Sequence, residues 1–198
     1  MSHLITLADT SFKRDQAIAY IQDIYARVYE TIPGESDVYF ISHKDETMTG
    51  VIALDFADSK DKMPMESVYE IDLSEISFPV TSHNSVQFGR WIAEDPRVSV
   101  CLSYIATVYS LKLGKEYIWL TQTFKTHRVL RQKGIIFYPL TRAKLVYENI
   151  PPGDLAYYLS ENCPKCYISV ARQQKAALQK KSDEIKESGY VLFDKNIF

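Results

Sequence analysis

The chain has 198 residues, which is enough for about one domain at roughly 150 residues per domain. Hydrophobic residues make up 46% and charged residues 24%, so the composition excludes a disordered, collagen-like or coiled-coil chain and predicts a packed core. Lys and Arg total 23 against 25 for Asp and Glu, and the resulting net charge of −2 gives no general attraction for nucleic acid.

Targeting and membrane signals are missing from the sequence. The apolar runs fall short of the ~20 residues that span a bilayer, and the first residues lack the basic, apolar and small-residue order of a signal peptide. We therefore expect a cytoplasmic protein, and the three cysteines, Cys101, Cys163 and Cys166, fit a reducing compartment. Cys163-Pro-Lys-Cys166 has the spacing of half a zinc site, but no second pair completes it, so we predict no metal site.

The first half of the chain predicts one helix followed by antiparallel strands. Apolar residues recur at spacings of three and four after the candidate N-cap Thr10-Ser11, and this helix is expected to end before Pro33-Gly34. Two β-rich segments separated by a polar turn predict a hairpin. The strands expected in this half are at 38–42, 48–55, 68–73 and 85–92.

The second half of the chain predicts alternating helices and strands. The segment 98–113 is apolar on one broad face and is followed by Gly114, which indicates a buried helix. The elements expected after it are a strand at 116–123, a basic helix at 125–133, a strand at 135–140, a short helix that ends at residue 160, a strand at 166–170 and a polar helix at 171–187.

Three motifs add a family resemblance to this order. Val86-Gln87-Phe88-Gly89-Arg90-Trp91 lies on the fourth strand, and Trp119-Leu120-Thr121-Gln122-Thr123 on the next, followed by Arg128-Val129-Leu130-Arg131-Gln132-Lys133-Gly134. The chain resembles the acyl-homoserine-lactone synthases and the long-chain N-acyl amino acid synthases of the GNAT acyltransferase superfamily. These carry a Glu-x-x-Arg segment on the fourth strand and an Arg-hydrophobic-Leu-x-x-x-Gly helix after the fifth.

The resemblance covers residues 10–148 and implies a fold. We expect an α+β, three-layer architecture in which a mixed, mostly antiparallel central sheet splays apart after the fourth strand, with helices on both faces. Residues 1–150 are expected to form this GNAT-like domain, and 151–198 a C-terminal extension packed on it. Met63-Pro64-Met65-Glu66 also resembles the Leu-Pro-x-Glu segment that precedes the fourth strand in the acyl amino acid synthases.

The same resemblance makes Glu66, Gln87 and Arg90 the candidate catalytic residues. Gln87 stands where the family has Glu, so a neutral amide replaces a carboxylate that would hold or deprotonate the amine. Arg90 has a forked charge suited to hold an acceptor carboxylate or to anchor the acceptor loop, and a structural salt bridge to Glu66 or Asp95 is the alternative. Glu66 is suited to orient Arg90 or to accept the amine proton through a water, or else it is a solvent-exposed side chain.

Six further residues are candidate contacts to a thioester donor: Phe88, Gly89, Trp91, Thr121, Arg128 and Arg131. Gly89 permits a β-bulge or a close backbone approach, and backbone N–H groups at 88–90 are candidate donors to an oxyanion. The basic helix at 125–133 would attract phosphopantetheine and an acidic carrier protein. The alternatives are a glycine that accommodates a neighbouring side chain and a solvated helix face.

Two absences bear on the donor. Coenzyme A enzymes of the superfamily carry a glycine-rich loop that holds the pyrophosphate at a helix N-terminus, and the stretch 91–99 contains no glycine. Leu130 stands where these enzymes often place the Tyr that protonates the leaving thiolate. Both point away from coenzyme A and toward an acyl carrier protein, which presents phosphopantetheine without the adenosine pyrophosphate, and no permanently bound cofactor is expected.

The resemblance implies an N-acyltransferase that moves a fatty acyl group from a phosphopantetheine thioester to the amine of a small acceptor such as an amino acid. Only Glu35 and Asp37 stand near the place of the acidic pair of the homoserine-lactone synthases, so S-adenosylmethionine is not supported as the acceptor. The alternatives are an acyl-CoA-dependent GNAT enzyme and a non-catalytic acyl-binding module, which Gln87 favours. Core packing or an acyl tunnel explains the apolar set Leu102, Ile105, Tyr109, Trp119, Ile136 and Phe137.

Overall fold

The computed structural model describes residues 2–159 and 163–197. In the N-terminal half the elements are β1 (His3–Leu7), α1 (Ser11–Tyr29), β2 (Val38–Lys44), β3 (Thr47–Asp55), β4 (Tyr69–Glu70), β5 (Ser85–Ala93) and α2 (Pro96–Lys112). They are followed by β6 (Tyr117–Gln122), α3 (Phe124–Gln132), β7 (Tyr138–Pro139), β8 (Lys144–Leu145), α4 (Leu155–Tyr158), β9 (Lys165–Val170), α5 (Ala171–Glu187) and β10 (Val191–Phe193).

The main sheet has the strand order β10-β1-β2-β3-β5-β6-β9-β7, and β4 pairs with β8 in a small separate ladder. Neighbouring strands run antiparallel except for the parallel pairs β1–β10 and β5–β6. The expected mixed, mostly antiparallel sheet is therefore confirmed. Thr10 caps α1 as expected, since its hydroxyl accepts the Lys13 N–H.

Helices cover both faces of this sheet, as the sequence predicts. On one face, α2 and α5 pack against each other and bury side chains of β2, β3, β5 and β6 in the largest core cluster. The amide of Gln174 on α5 donates to the Ser103 and Thr107 hydroxyls on α2, at 3.1 and 2.9 Å. On the other face, Ala17 and Ile21 of α1 pack over β2 and β3.

Strands β5 and β6 separate part-way along their length. Their parallel pairing runs from Ser85 opposite Tyr117 to Phe88 opposite Leu120. Beyond that point β5 continues beside β3 alone, while β6 continues beside β9 to Gln122. The expected splay after the fourth strand of the main sheet is confirmed. It opens a gap between β5, which stays paired with β3, and β6, which stays paired with β9.

The structure differs from the sequence-based elements mainly at short strands. Strands β1 and β10 were not expected; they have 5 and 3 residues and pair with each other in parallel. The expected strand at 135–140 is reduced to β7, and the one at 68–73 is reduced to β4. These segments have too few residues to show an alternation of apolar and polar side chains. Pairing with strands that are distant in sequence defines them instead. The expected end of the short helix at residue 160 lies outside the described residues.

The C-terminal segment takes part in the main sheet at two places. Strand β9 pairs with β6 from Tyr117 opposite Val170 to Gln122 opposite Lys165, and β10 lies beside β1. Among the helices within the described ranges, none is long and apolar enough to cross a membrane.

Candidate active site

A cavity of about 750 Å³ opens where β5 and β6 separate. Its walls come from the C-terminal end of α1, the end of β5, the first turn of α2, α3 and α4. The lining includes the aromatic side chains of Tyr29, Trp91 and Tyr157, the Lys133 ammonium group and the carboxylates of Glu30 and Glu94. The described residues therefore surround this cavity with aromatic and apolar groups and with charges of both signs.

The cavity does not run between α2 and the sheet. Leu102 and Ile105, from the apolar set considered for an acyl tunnel, are fully buried in the core. Trp119 is also buried, on the opposite face of the sheet among Met63, Met65 and Ile168. These three residues are core residues, whereas Ile136 and Phe137 of the same set line a second cavity of about 540 Å³.

A β-bulge interrupts β5 at the cavity. Ala53 pairs with Gly89 and Val51 with Ile92, so two residues of β5, Arg90 and Trp91, face one residue of β3. Arg90 takes up the bend with a left-handed φ of 47°, which is uncommon for a residue with a side chain. The sequence placed the bulge at Gly89, but the left-handed residue is Arg90.

Arg90 is anchored by Asp55, the last residue of β3. Its Nη1 donates to Asp55 Oδ2 at 3.0 Å and to the Ser36 hydroxyl. Asp55 is only 6% exposed, so this is a buried pair. Arg90 therefore forms an ion pair, as its structural alternative expected, but the partner is Asp55 and not Glu66 or Asp95. No local pattern indicates that a carboxylate 35 residues earlier lies beside Arg90.

Burial sets the ionisation of Asp55. Desolvation raises the pKa of this carboxyl above its ordinary value, the Arg90 charge and hydrogen bonds from Ser36 and Arg90 oppose that rise, and Asp37 adds to it. Sequence reasoning did not select Asp55. The only available signal was an acidic residue that ends an otherwise apolar strand.

The side chains of Glu66 and Gln87 both accept hydrogen bonds from backbone N–H groups of the same turn. Glu66 Oε2 accepts the Met63 N–H at 2.7 Å within its own 3₁₀ turn, Pro64–Ser67. Gln87 Oε1 accepts the Met65 N–H at 2.8 Å and ties that turn to β5. Both side chains thereby help to place Met63 and Met65 in the core cluster over Trp119. The hydrogen bond of the Glu66 carboxylate closes its own turn instead of orienting Arg90.

The remaining β-strand candidates divide between core and cavity. Phe88 is buried in the core beneath α2, and only its backbone is near the gap. Trp91 lines the cavity, and its buried indole N–H has no hydrogen-bond partner among the described residues. The Thr121 side chain hydrogen-bonds Tyr157, which lines the cavity and whose pKa burial raises strongly. Gly89 has space for a side chain, since an added Cβ would lie 3.7 Å from Asp55 Oδ2.

The basic residues of α3 also divide. Arg128 and Arg131 are exposed, and Arg131 borders a second cavity of about 540 Å³ beside His127 and Tyr167. Lys133 reaches into the main cavity, where its Nζ donates to the Ser99 hydroxyl at 2.9 Å. Burial, with the nearby Lys181, lowers the pKa of Lys133. Among the described basic side chains at 126–133, Lys133 is the one that lines the main cavity.

The N-terminus of α2 is already occupied by a side chain. Asp95 caps it by accepting the Arg97 N–H at 2.7 Å, and the same carboxylate binds the Arg97 guanidinium and the Tyr190 hydroxyl. Arg97 in turn stacks on the Tyr190 ring. Within the described ranges, no group of three or more His, Cys, Asp or Glu side chains could hold a metal ion.

Comparison with known proteins identifies the fold. No protein-family model and no curated protein matches the sequence. Among solved structures, the CoA-dependent acyl-homoserine lactone synthase BjaI superposes with a TM-score of 0.65 at 16% identity, covering 98% of this chain and 93% of BjaI. The chain has the fold of the acyl-homoserine lactone synthases. That synthase structure contains S-adenosylmethionine and isopentyl-CoA.

Two further structures support the same fold. FeeM, an N-acyl amino acid synthase from uncultured soil microbes, gives a TM-score of 0.61 at 14% identity, covering 88% of this chain and 94% of FeeM. A putative N-acetyltransferase from Lactobacillus plantarum gives 0.53 at 11% identity, covering 86% of this chain and 99% of that one. The expected resemblance to the synthases and to the wider GNAT superfamily is confirmed at the level of the fold.

Proposed function

We propose that the protein is an N-acyltransferase that moves an acyl group from a phosphopantetheine thioester to the amine of a small acceptor such as an amino acid. The observation that carries this proposal is the cavity at the separation of β5 and β6, with the Arg90–Trp91 bulge on its edge. Beyond Phe88 the backbone of β5 has no strand partner on the β6 side, so a ligand in the gap would meet its backbone groups.

The cavity suits a thioester donor in three respects. Its volume of about 750 Å³ lies in the range of small-molecule sites, and Lys133 offers a cation to a phosphate. Unpaired N–H groups along β5 are the kind of preorganised donor that stabilises a developing oxyanion. Val28, Val129 and Leu130 supply an apolar wall for an acyl chain.

We favour an acyl carrier protein as the donor. The Asp95 side chain accepts the Arg97 N–H at the N-terminus of α2, where the related coenzyme A enzymes hold the pyrophosphate, so this donor is already used within the protein. Arg128 and Arg131 are exposed on α3, beside the cavity, and would attract an acidic carrier surface. Acyl-CoA is the second candidate, because BjaI with the same fold is CoA-dependent.

The test is release of free thiol from acyl carrier proteins and from acyl-CoA, each loaded with short to long acyl chains. Each donor is incubated with the protein, with and without amino acids and S-adenosylmethionine, and the small molecules are analysed by mass spectrometry. We expect acceptor-dependent thiol release and a new N-acyl product, greater with the carrier protein. Binding of donor with no release and no product would contradict transfer and favour the non-catalytic acyl-binding module.

A matched pair of variants ties the activity to the cavity. Ala156 lines the cavity, so Ala156→Trp would fill part of it. Ala176 is exposed on α5 and does not line it, so Ala176→Trp tests the same substitution elsewhere. We expect the first variant to lose at least tenfold in kcat/KM for the donor, since an occluded arm cannot reach the bulge, and the second to stay within twofold. Equal activities would place the reaction outside this cavity.

A further inference from the structure

The β5 strand lacks the carboxylate that the resembled synthases carry at the position of Gln87, yet the structure places one directly beside it. Asp55 on β3 is the cross-strand partner of Gln87 in the antiparallel register. Partners in such a register project to the same face of the sheet. An acidic group is therefore present on the face of β5 toward α1, but it comes from the neighbouring strand.

The Asp55 carboxylate lies close to β5 near the point where β5 and β6 separate. Its Oδ2 is 3.7 Å from where a Cβ of Gly89 would be, and Gly89 is the first residue after the last β5–β6 pair, Phe88 opposite Leu120. Because Gly89 has no side chain, none covers the Asp55 carboxylate at this residue. The next residues of the strand form the bulge, and Trp91 lines the cavity.

Gln87 is not free to take over the role. Its carbonyl oxygen is engaged by the Met65 N–H at 2.8 Å, and a neutral amide cannot accept a proton at working pH. Glu66 Oε2 accepts the Met63 N–H within its own turn. The carboxylates of Glu30 and Glu94 line the cavity, but they follow the ends of α1 and β5. Asp55 is the carboxylate directly opposite position 87, and Arg90 and Ser36 hold it in place.

We propose that Asp55 is the general base of the acyl transfer, a catalytic residue that replaces the missing carboxylate of position 87 from the adjacent strand. This inference rests on the proposed function. The acceptor amine arrives as an ammonium ion and gives one proton to the Asp55 carboxylate. The free amine forms the C–N bond at the thioester carbonyl, and the C–S bond breaks with its electron pair leaving on sulfur. The thiolate takes the second nitrogen proton, and Asp55 returns the first to water.

The first test compares Asp55→Asn with a matched control. Asparagine keeps the shape of the side chain and an oxygen for Arg90, but it cannot accept the proton. Asp72→Asn removes a carboxylate that also accepts a hydrogen bond from an arginine, Arg142 Nη1 at 3.2 Å, and that does not line the main cavity. We expect kcat/KM to fall about 10²-fold in D55N, as is typical for loss of a general base, and less than threefold in D72N. Circular dichroism and melting curves verify that both variants fold.

The second test moves the carboxylate back to the strand where the family has it. In the D55N background, Gln87→Glu is expected to recover at least tenfold in kcat/KM. In the wild-type background the same substitution places two carboxylates opposite each other, and we expect activity to fall or stay level. A gain in the wild type with no rescue in D55N would overturn the assignment and return the role to position 87.

The pH profile separates a base from a merely structural residue. The charged groups that act on Asp55 are Arg90 from β5 and Asp37 from the segment before β2. We expect kcat/KM of the wild type to rise with pH through the ionisation of Asp55, and this limb to vanish in D55N. If D55N keeps the limb and most of the activity, the assignment is wrong while the transferase proposal stands. If the wild type transfers no acyl group with any donor and acceptor, both are wrong.

Discussion

Arg90 and Gly89 show at single-residue scale how the strand is bent. Gly89 has an ordinary φ and open space for a Cβ, whereas Arg90 carries the left-handed backbone. We therefore expect Gly89→Ala to change the free energy of unfolding by less than about 1 kcal/mol, because the lower entropy of the unfolded chain offsets a minor contact with Asp55. Urea unfolding measures it. A loss above about 2 kcal/mol would mean that the strand needs glycine at position 89 to form the bulge.

Asp55 leads to a prediction about stability and pH. Because burial raises its pKa in the folded state, the folded protein holds this proton more tightly than the unfolded chain does. Its contribution therefore favours folding below the ordinary value of 3.8 and is lost as the pH rises through the raised value. We expect the melting temperature of the wild type to decline over that window relative to D55N, measured by calorimetry in matched buffers. Parallel curves would show that Asp55 titrates normally.

At the scale of elements, the sequence predicted those helices and strands that depend on residues within one segment of the chain. Helices α1, α2 and α5 and the β2–β3 hairpin follow from caps, apolar spacing and turns within one segment of sequence. The partner of Arg90 and the strands β1 and β10 depend on residues far along the chain, and no local pattern contains them. Gln87 was selected for a family position, but only the register shows the carboxylate opposite it.

Two lysines, one at the C-terminal end of α3 and one on α5, have different surroundings and should contribute differently to donor binding. Lys133 lines the cavity and bonds Ser99, while Lys180 on α5 is exposed and pairs with Glu184 one turn away. We expect Lys133→Met to raise KM for a phosphopantetheine donor about tenfold with little change in kcat, because its charge attracts the phosphate in ground state and transition state alike. The Lys180→Met control should match the wild type. Equal KM values for all three proteins would exclude Lys133 from donor binding.

At the scale of the whole molecule, the C-terminal segment decides whether the sheet is complete. The boundary at residue 150 predicts a C-terminal extension packed on the same domain. In the structure β9 pairs with the full length of β6, and α5 packs along α2. Removing residues 151–198 would expose the edge of β6 and the buried Ser103 and Thr107 face of α2. Unpaired strand edges and uncovered core faces promote aggregation.

We therefore expect a protein ending at residue 150 to be unfolded or aggregated, with loss of the cooperative melting transition in circular dichroism. A single substitution tests the contact between α5 and α2 without removing any part of the chain. Gln174→Ala removes only the amide that joins α5 to α2 and should cost about 1–3 kcal/mol in urea unfolding. A truncated protein that melts cooperatively near the full-length temperature would show instead that residues 1–150 fold alone, and that β9 and α5 are added to a sheet already complete at β6.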